Sequence, residues 1–542
     1  MPARRTVPTR RRRAAGALTA LLAAPALIGL SGSAAAPPAP TTTPSATAAA
    51  AALPAVQARP ADSLVDSFGV AIHTPYLDTP YADTARVTQA LTDLGVRHVR
   101  DNLNLSVPQS FAAMRQIASA GIRFDLIMGR PGSWQTPQKL VEAIAAELPT
   151  GVVESLEGAN EYNLDEHAVD WVLELRTHQQ QLWEAANANP VTADLPVLAP
   201  ALGMRTGFDQ IADLGQYADY GNAHLYPGGR PPSWGIDELT QLEAIVVPGK
   251  PVMYTESGYH NATNTTSGHR PTPEPVVGSY APRLLLEHYL RGTARVYNYE
   301  LLDERADPGL TDHEAAFGLL RHDFSPKPAY LALKNLLGLV ADPGPAFSPG
   351  RLAYTVDGAT SDLRQVLVQK RSGEFVLLLW RDQSLYNPST GEQRTVPPRA
   401  MTVRLDERAR VAVHVPSAGS APVASGAGTS VPLSMAGEVV ALRIRPPAEP
   451  GSPARLKGKA KDRAAVLRWK RPATDGGSPV TAYVIRGLPG PRKVVVVPAD
   501  RLRFTVLRLK NGKRYTFKVR AVNAVGRSLP AKVKVTPRPP RR

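Results

Sequence analysis

Two glutamates in this chain each follow a short apolar run that favours a β-strand. Glu161 comes after the run 151–156, and Glu256 comes after the run 251–254. When two carboxyl groups project from strand ends into one pocket, one can stay protonated and assist a leaving oxygen. The other, ionised, can attack an anomeric carbon or activate water. These residue types at these positions therefore predict hydrolysis of glycosidic bonds.

Strand-like and helix-like stretches alternate between about residues 64 and 340. The predicted strands are 68–73, 96–100, 123–128, 152–161, 197–200, 220–226, 252–255 and 294–299. The helical patterns are 85–94, 109–120, 137–147, 168–187, 208–214, 239–246, 280–291 and 328–340. Eight such units predict an α/β fold, a (β/α)8 TIM barrel over 63–342. An open doubly wound sheet is the alternative, although no glycine-rich phosphate loop follows the first strand.

The order of the two glutamates along the predicted strands adds a family resemblance. An Asn-Glu pair after the fourth strand and a glutamate after the seventh resembles the retaining (β/α)8 glycoside hydrolase clan, which includes cellulases, xylosidases and β-glucosidases. The resemblance implies that Glu161 is the acid/base, that Glu256 is the nucleophile and that Asn160 contacts the sugar 2-hydroxyl.

Three further polar residues fall at predicted strand ends. A nucleophilic carboxylate needs donors that keep it ionised and oriented, and Arg100 and Tyr226 are placed to supply them, with Arg97 as an alternative to Arg100. His224 either tunes the acid, contacts the substrate or is a satisfied core histidine.

Aromatic residues in the loops after the strands could bind a sugar ring by its C–H face. Trp134 follows the third strand and Trp234 the sixth, on the face where a barrel carries its active site. Tyr299 follows the eighth strand, where many members of the clan have tryptophan. Each of these residues could instead pack within its own loop.

The composition predicts no cofactor and no metal. The chain has no cysteine, which excludes disulfides and thiol nucleophiles, and its 11 histidines include no HExxH spacing. His73 and His260 follow predicted strands and could contact substrate or, as the less favoured alternative, a metal.

Two β domains are predicted after the barrel. Hydrophobic alternation with a period of two indicates a β-sandwich at 345–446, and 447–453 is a Pro-rich linker. Residues 454–537 resemble a fibronectin type III module, an Ig-like β-sandwich with Trp469 as core tryptophan and Tyr515 at the tyrosine corner.

The N-terminal residues are typical of a targeting segment. Arginines precede an apolar run and a small-residue cleavage site, which predicts a signal peptide at 1–36 and a secreted or cell-wall-associated protein. A membrane anchor is the alternative, and the export route stays open. Residues 37–62 are Pro/Ala/Thr-rich and are predicted to be a disordered linker.

Charge divides the chain into an acidic body and a basic C-terminal domain. Residues 451–542 hold 25 lysines and arginines against 3 acidic residues, whereas residues 14–450 carry a net charge of −12. The C-terminal domain is therefore either a passive spacer or a contact for an anionic cell-wall polymer. A carbohydrate substrate is expected, and nucleic acid is not.

Two rival functions share the same residues. One is a catalytically silent carbohydrate-binding or wall-associated protein on a glycosidase barrel, and the other is a transglycosylase. The sugar, the linkage and the choice between endo and exo action are left open by the sequence.

Overall fold

The computed structural model describes residues 52–487 and 494–540 of the 542-residue chain. The predicted signal peptide and most of the predicted linker lie outside the described residues. The end of that linker contradicts the prediction of disorder, because β1 (Ala55–Gln57) and β2 (Arg59–Pro60) are strands. They pair with residues 351–353 and 368–369, partners so distant in sequence that no local pattern marks them.

Strands and helices then alternate. The strands are β3 (Phe68–Ala71), β4 (His98–Asn102), β5 (Arg123–Ile127), β6 (Val153–Glu157), β7 (Val197–Leu198), β8 (Gly221–Leu225), β9 (Val252–Ser257) and β10 (Arg295–Asn298). The helices are α1 (Asp62–Asp66), α2 (Thr84–Leu94), α3 (Gln109–Ala118), α4 (Pro137–Glu147), α5 (Trp171–Ala188), α6 (Gly207–Ile211), α7 (Ile236–Val246), α8 (Glu274–Arg291) and α9 (Pro328–Val340). Single 3₁₀ turns lie at Pro80–Ala82, Tyr162–Leu164 and Glu314–Ala316.

The eight strands β3 to β10 form a closed parallel barrel. Their order is β7-β6-β5-β4-β3-β10-β9-β8, and a parallel bridge between Leu198 and Tyr220 joins the two ends. Each strand neighbours the next in sequence, which confirms the predicted TIM barrel. The carboxyl ends of all eight strands consequently open on one face.

Helix α2 shows how local sequence defines these units. The carboxylate of Asp83 accepts the backbone N–H of Arg86 at 3.0 Å and caps the first turn, while Gly95 ends the helix with φ 87°. Val87, Leu91 and Leu94 recur at helical spacing and are buried in the barrel core. Among the described residues, no helix is both long enough and apolar enough to cross a lipid bilayer.

The accessory domain is built on one β-sheet, and side chains from its strands enclose an apolar core. Its strands are β11 (Arg351–Asp357), β12 (Leu363–Gln369), β13 (Phe375–Arg381), β16 (Arg399–His414), β17 (Ala424–Met435) and β18 (Val440–Arg445), with a hairpin of β14 (Tyr386–Asn387) and β15 (Glu392–Gln393). The long strand β16 pairs with β11 through its first half and with β18 through its second. Side chains from both halves meet in one apolar core, and others, including Trp380, join the barrel core.

The C-terminal domain has two sheets. The strands are β19 (Ala454–Lys461), β20 (Ala464–Lys470), β21 (Ala482–Arg486), β22 (Val494–Pro498), β23 (Arg503–Val506), β24 (Tyr515–Val522) and β25 (Ala531–Val535). The sheet orders are β19-β20-β23 and β22-β21-β24-β25. Trp469 is buried between them, and the hydroxyl of Tyr515 accepts the backbone N–H of Lys510 at 3.0 Å. Both residues therefore occupy their predicted positions.

Candidate active site

The two predicted glutamates meet at the face where the barrel strands end. Glu161 lies four residues beyond β6, and Glu256 is the fifth residue of β9. Their side chains are 28% and 11% exposed, and a carboxylate oxygen of one lies within 4.8 Å of a carboxylate oxygen of the other. Glu161 has φ 45°, a left-handed conformation that is uncommon for residues other than glycine and occurs often at functional positions.

Two donors hold the carboxylate of Glu256. Nη1 of Arg100 donates to Oε1 at 2.5 Å, and the hydroxyl of Tyr226 donates to Oε2 at 2.5 Å. Burial alone would raise the pKa of Glu256, but the charges of His224 and Arg100 hold it below its usual range. Glu256 is therefore ionised at neutral pH, the state that a nucleophile requires.

Arg100 bridges two buried anions. Its Nε and Nη2 donate to the carboxylate of Glu157 at 2.7 Å, and Nη2 also donates to Oδ1 of Asn160 at 2.5 Å. Glu157 is fully buried, so this pair fixes the guanidinium beside Glu256. Arg97 donates instead to Asp62 at 2.7 Å, and the alternative that placed it in the site is wrong.

His224 lies between the two predicted catalytic glutamates. Its Nδ1 is 2.7 Å from Oε1 of Glu161 and 3.5 Å from Oε2 of Glu256. Burial alone would lower the pKa of His224, but the two carboxylates raise it above its ordinary value. Burial would raise the pKa of Glu161, but the hydrogen bond with His224 holds it below its usual range. Both shifts favour a proton on His224 over one on Glu161, whereas the predicted mechanism needs it on Glu161.

Each glutamate lines a different cavity, and each cavity has a volume of about 340 Å³. Glu256, Asn160 and Tyr299 line the first, together with the loops after the first three strands. Glu161 and Trp234 line the second, with the loops after the fourth to seventh strands. A glycosidic bond held between the two carboxylates would place its two halves in different cavities.

Two predicted substrate contacts, Trp134 and His260, line neither of these cavities. His260 is buried, and its Nε2 lies 2.6 Å from the backbone carbonyl of His269. Trp134 is instead 59% exposed, and Nζ of Lys139 lies 5.3 Å from the centre of its ring. Its neighbours Ser133 and Gln135 line the first cavity, so Trp134 lies at the rim. The structure gives no support to its role in the pocket.

A buried acid that the sequence does not predict adjoins the first cavity. Glu300 is fully buried, the hydroxyl of Tyr81 donates to it at 2.8 Å, and Nε2 of His73 lies 3.1 Å from it. Burial raises the pKa of this carboxyl group. Glu300 directly follows Tyr299, a predicted site residue, and this position could have marked it as a candidate. Its contacts with Tyr81 and His73 arise only when the barrel closes.

Two groups of side chains could each supply three ligands to a divalent cation. The first group is Glu161, His224 and Glu256, and most of its ligand atoms already take part in the hydrogen bonds described above. The second group is His73, Glu300 and Glu304. Oε1 of Glu300 has no hydrogen-bond partner among residues 52–487 and 494–540, so the second group fits a cation better. The expectation of no metal stays a prediction.

Comparison with known sequences identifies the C-terminal domain. Residues 451–538 match the family model described as "Fibronectin type III domain". This part of the chain is a fibronectin type III domain. "Fibronectin type-III domain-containing protein 3A" from Mus musculus is 37% identical over 92 residues, 16% of this chain and 8% of the relative. "Titin" from Drosophila melanogaster is 33% identical over 98 residues, 17% of this chain and a share of titin that rounds to 0%. The match thus spans less than a tenth of these relatives' lengths.

Solved structures of glycoside hydrolases are similar to the larger part of the chain. A family 39 glycoside hydrolase from Bacteroides cellulosilyticus WH2 has a TM-score of 0.48 and 16% identity, covering 71% of this chain and 81% of that chain. A monomeric beta-xylosidase from Caulobacter crescentus CB15 has a TM-score of 0.48 and 17% identity, covering 73% and 98%. The assignment of the barrel rests on the strand order described above.

Proposed function

We propose that this protein is a secreted retaining glycoside hydrolase that cleaves O-glycosidic bonds of a poly- or oligosaccharide. The observation that supports it is the approach of the Glu161 and Glu256 carboxylates to within 4.8 Å across the barrel mouth. Retaining enzymes place their two carboxyl groups about 5–5.5 Å apart, whereas inverting enzymes leave about 6.5–9.5 Å for a water molecule. An approach this close favours double displacement.

In the first step, a carboxylate oxygen of Glu256 attacks the anomeric carbon while the bond to the leaving oxygen breaks. Glu161 gives its proton to that oxygen, so the leaving group departs as a neutral alcohol. In the second step, Glu161 removes a proton from water, the water oxygen attacks the same carbon, and the ester bond to Glu256 breaks. Two displacements on one carbon restore the original anomeric configuration.

His224 supplies the proton that this scheme needs. Because Nδ1 of His224 lies 2.7 Å from Glu161, a proton on the imidazole can move to the carboxyl group as the leaving oxygen gains charge. The low pKa of Glu161 in the substrate-free site is then compatible with acid catalysis, since Glu161 and His224 act together as one acid. Positioning the proton is the proposed role of His224.

Arg100 and Tyr226 serve the nucleophile, and Asn160 serves the substrate. With Oδ1 of Asn160 accepting from Arg100, the amide N–H groups of Asn160 are left for a sugar hydroxyl in the first cavity. This orientation supports the contact with the 2-hydroxyl that the clan resemblance implies. Tyr299 lines the same cavity and would face the sugar ring.

A panel of aryl glycosides and polysaccharides, assayed for released products by NMR, tests the proposal. We expect wild-type protein to release a sugar that first appears in the anomeric configuration of the substrate. Glu256→Gln should lower turnover by orders of magnitude, while Glu142→Gln, on the exposed side of α4, should not. Binding of a glycan without any product would favour the catalytically silent alternative, and an inverted first product would exclude double displacement.

We also propose that the fibronectin type III domain holds the protein on an anionic cell-wall polymer. In its three-stranded sheet, Lys457 pairs with Arg468 and Arg468 pairs with Arg503, which forms one rung of three exposed cations. The other sheet carries a second such rung, made of Arg486, Lys518 and Lys532. Like charges directly opposite each other on paired strands destabilise a sheet, and a bound polyanion would remove that cost.

Retention of the full chain on immobilised alginate, with dextran as the neutral control, tests this attachment. Replacing Lys457, Arg468 and Arg503 by glutamine should move elution to lower salt, whereas Arg123→Gln in the barrel should leave elution unchanged. Equal retention of the triple variant, or tighter retention of wild type on duplex DNA than on alginate, would contradict the proposal.

Secretion is proposed from the N-terminal sequence alone. Expression of the full chain in an exporting bacterial host should yield a mature protein in the culture medium that lacks the residues before about position 37. An uncleaved protein retained with the cell membrane would support the anchor instead.

A further inference from the structure

The cavity lined by Glu161 is unusually rich in cations for the part of the chain in which it lies. Arg205, Arg230 and Arg270 all line it, although residues 14–450 carry a net charge of −12. Each arginine comes from a different loop at the carboxyl-terminal face of the barrel. The fold therefore gathers positive charge at one position of an otherwise acidic body.

Two of these arginines have no acidic partner. Arg230 donates to the backbone carbonyl of Pro227 and Arg270 to that of Pro388, and neither approaches a carboxylate within ion-pair distance in the described part of the chain. Arg205 differs, since it pairs with Glu238. A guanidinium group has five N–H donors, so Arg230 and Arg270 keep most of theirs for a ligand.

Trp234 holds Arg230 and Arg205 in place without using their donors. The guanidinium carbon of Arg230 lies 4.5 Å from the centre of the indole ring, and that of Arg205 lies 5.4 Å from it. Stacking on an aromatic face fixes the plane of a guanidinium and leaves its N–H edge open. His269, stacked on Tyr226 at 4.5 Å, adds a further wall of the same cavity.

The first cavity shows the opposite arrangement. Its two arginines are both neutralised, Arg100 by Glu157 and Glu256 and Arg130 by Asp165. The two halves of a bound substrate would therefore meet different charges. Of the two cavities, only the one lined by Glu161 has guanidinium groups without an acidic partner among the described residues. This cavity is on the side of the leaving group.

We infer that the leaving-group half of the substrate carries an anionic group, a carboxylate or a sulfate ester, which Arg230 and Arg270 bind beside Glu161. This rests on the proposed function, because Glu161 marks the leaving-group side only if it delivers the proton. Carboxylates and sulfate esters both present a pair of oxygens that matches the fork of a guanidinium and accepts two parallel hydrogen bonds. The substrate class is then an acidic glycan or a glycoside of an acidic sugar.

Three disaccharides with one glycone and different second sugars test this inference. The glycone is the one that the wild-type protein hydrolyses fastest, and the second sugar is glucose, glucuronic acid or glucose 6-sulfate. We expect kcat/KM to be higher on at least one acidic substrate than on the glucose substrate. Whichever acidic sugar gives the larger ratio identifies the anion as carboxylate or sulfate.

Arginine variants connect that preference to the cavity. In Arg230→Gln and Arg270→Gln, the ratio of kcat/KM on the acidic substrate to that on the neutral one should fall about ten- to a hundredfold. Arg123→Gln, exposed at the opposite end of the barrel, should keep the wild-type ratio. An unchanged ratio in both cavity variants, or a wild-type preference for the neutral substrate, would overturn the inference while leaving the hydrolase proposal intact.

Binding without turnover separates this inference from the proposed function. NMR titration of glucuronate and glucose 6-sulfate into the full chain should show binding of at least one of them that weakens in the Arg230→Gln/Arg270→Gln double variant and persists in Arg123→Gln. If no glycoside is hydrolysed but this pattern appears, the hydrolase proposal fails and the anion site stands. Equal binding of both acidic sugars by wild type and the double variant would refute the anion site whether or not the protein hydrolyses glycosides.

Discussion

Nδ1 of His224 lies 2.7 Å from Oε1 of Glu161, and Nε2 of the same ring lies 3.0 Å from the hydroxyl of Thr255. The Thr255 hydroxyl is 2.6 Å from Oδ1 of Asn222, an acceptor, so its proton points there and its lone pair faces the ring. Nε2 is therefore a donor, and the proton shared with Glu161 sits on the Nδ1 side. One proton on this pair decides whether the site can act as an acid.

Replacing His224 by glutamine should move the basic limb of the kcat/KM profile to lower pH. The pKa of His224 is raised above its ordinary 6.5, so the wild-type pair keeps its proton, and hence its acid function, until the pH rises through that higher value. In the variant, Glu161 holds the proton alone and loses it at a lower pH. Profiles of His224→Gln and of the exposed control His322→Gln check this. A basic limb that stays in place in His224→Gln would show that the ring does not hold the catalytic proton.

Arg100→Met should destabilise the fold far more than Arg97→Met. Removing Arg100 takes the paired cation from the fully buried Glu157 and leaves Glu256 with His224 alone, and breaking a buried pair costs about 3–5 kcal/mol. The pair of Arg97 with Asp62 is 32% and 21% exposed and should contribute at most about 1 kcal/mol. Urea denaturation of both variants measures the difference, and equal losses would contradict the role assigned to Arg100.

Tyr226→Phe should lower kcat about ten- to a hundredfold with the fold intact, because Glu256 loses a hydrogen bond of 2.5 Å. Tyr330→Phe is the matched control, since its hydroxyl joins α9 to α2, where it contacts Ala90 and Asp93 away from the glutamates. Steady-state kinetics with circular dichroism separates the two effects. Equal kcat values for the two variants would remove Tyr226 from the catalytic network.

A chain that begins at residue 61 should melt at a lower temperature than one that begins at residue 52. The shorter chain lacks β1 and β2, exposes the edges of β11 and β12, and loses Ala58 from the accessory core. Because the unfolding entropy of a chain this long is roughly 1 kcal/mol per kelvin, a loss of about 1 kcal/mol or more would lower Tm by about 1 °C or more. Identical Tm values would mean that these strands add nothing to stability.

The sequence predicted the barrel closely because its signals are local. Hydrophobic periodicity marks the units, and capping side chains or terminal glycines mark the ends of some helices, such as α2, α4 and α5. The helix predicted at 137–147 has those bounds in the structure. Glu161 and Glu256 were found because each follows a strand, and carboxyl ends of parallel strands share one face. Arg100, Tyr226 and His224 were found for the same reason.

What the sequence missed depends on distant parts of the chain. Strands β1 and β2 are stabilised by partners that are remote in sequence, so their composition alone indicated disorder. The direction of the Glu161 pKa follows from the nearness of His224, which only the folded barrel creates. Arg230 and Arg270 are single residues in polar loops, and nothing local marks them as neighbours.

In the proposed mechanism, Glu256 attacks the anomeric carbon, and Glu161 first donates a proton and then removes one. Rescue by azide of Glu256→Gly and Glu161→Gly, with an aryl glycoside as substrate, tests it most directly. We predict that azide replaces the nucleophile in the first variant and gives a glycosyl azide of inverted configuration. In the second variant azide attacks the glycosyl-enzyme and gives a glycosyl azide with the configuration of the substrate. Wild-type turnover by Glu256→Gly without azide, or the same configuration from both variants, would contradict the assignment.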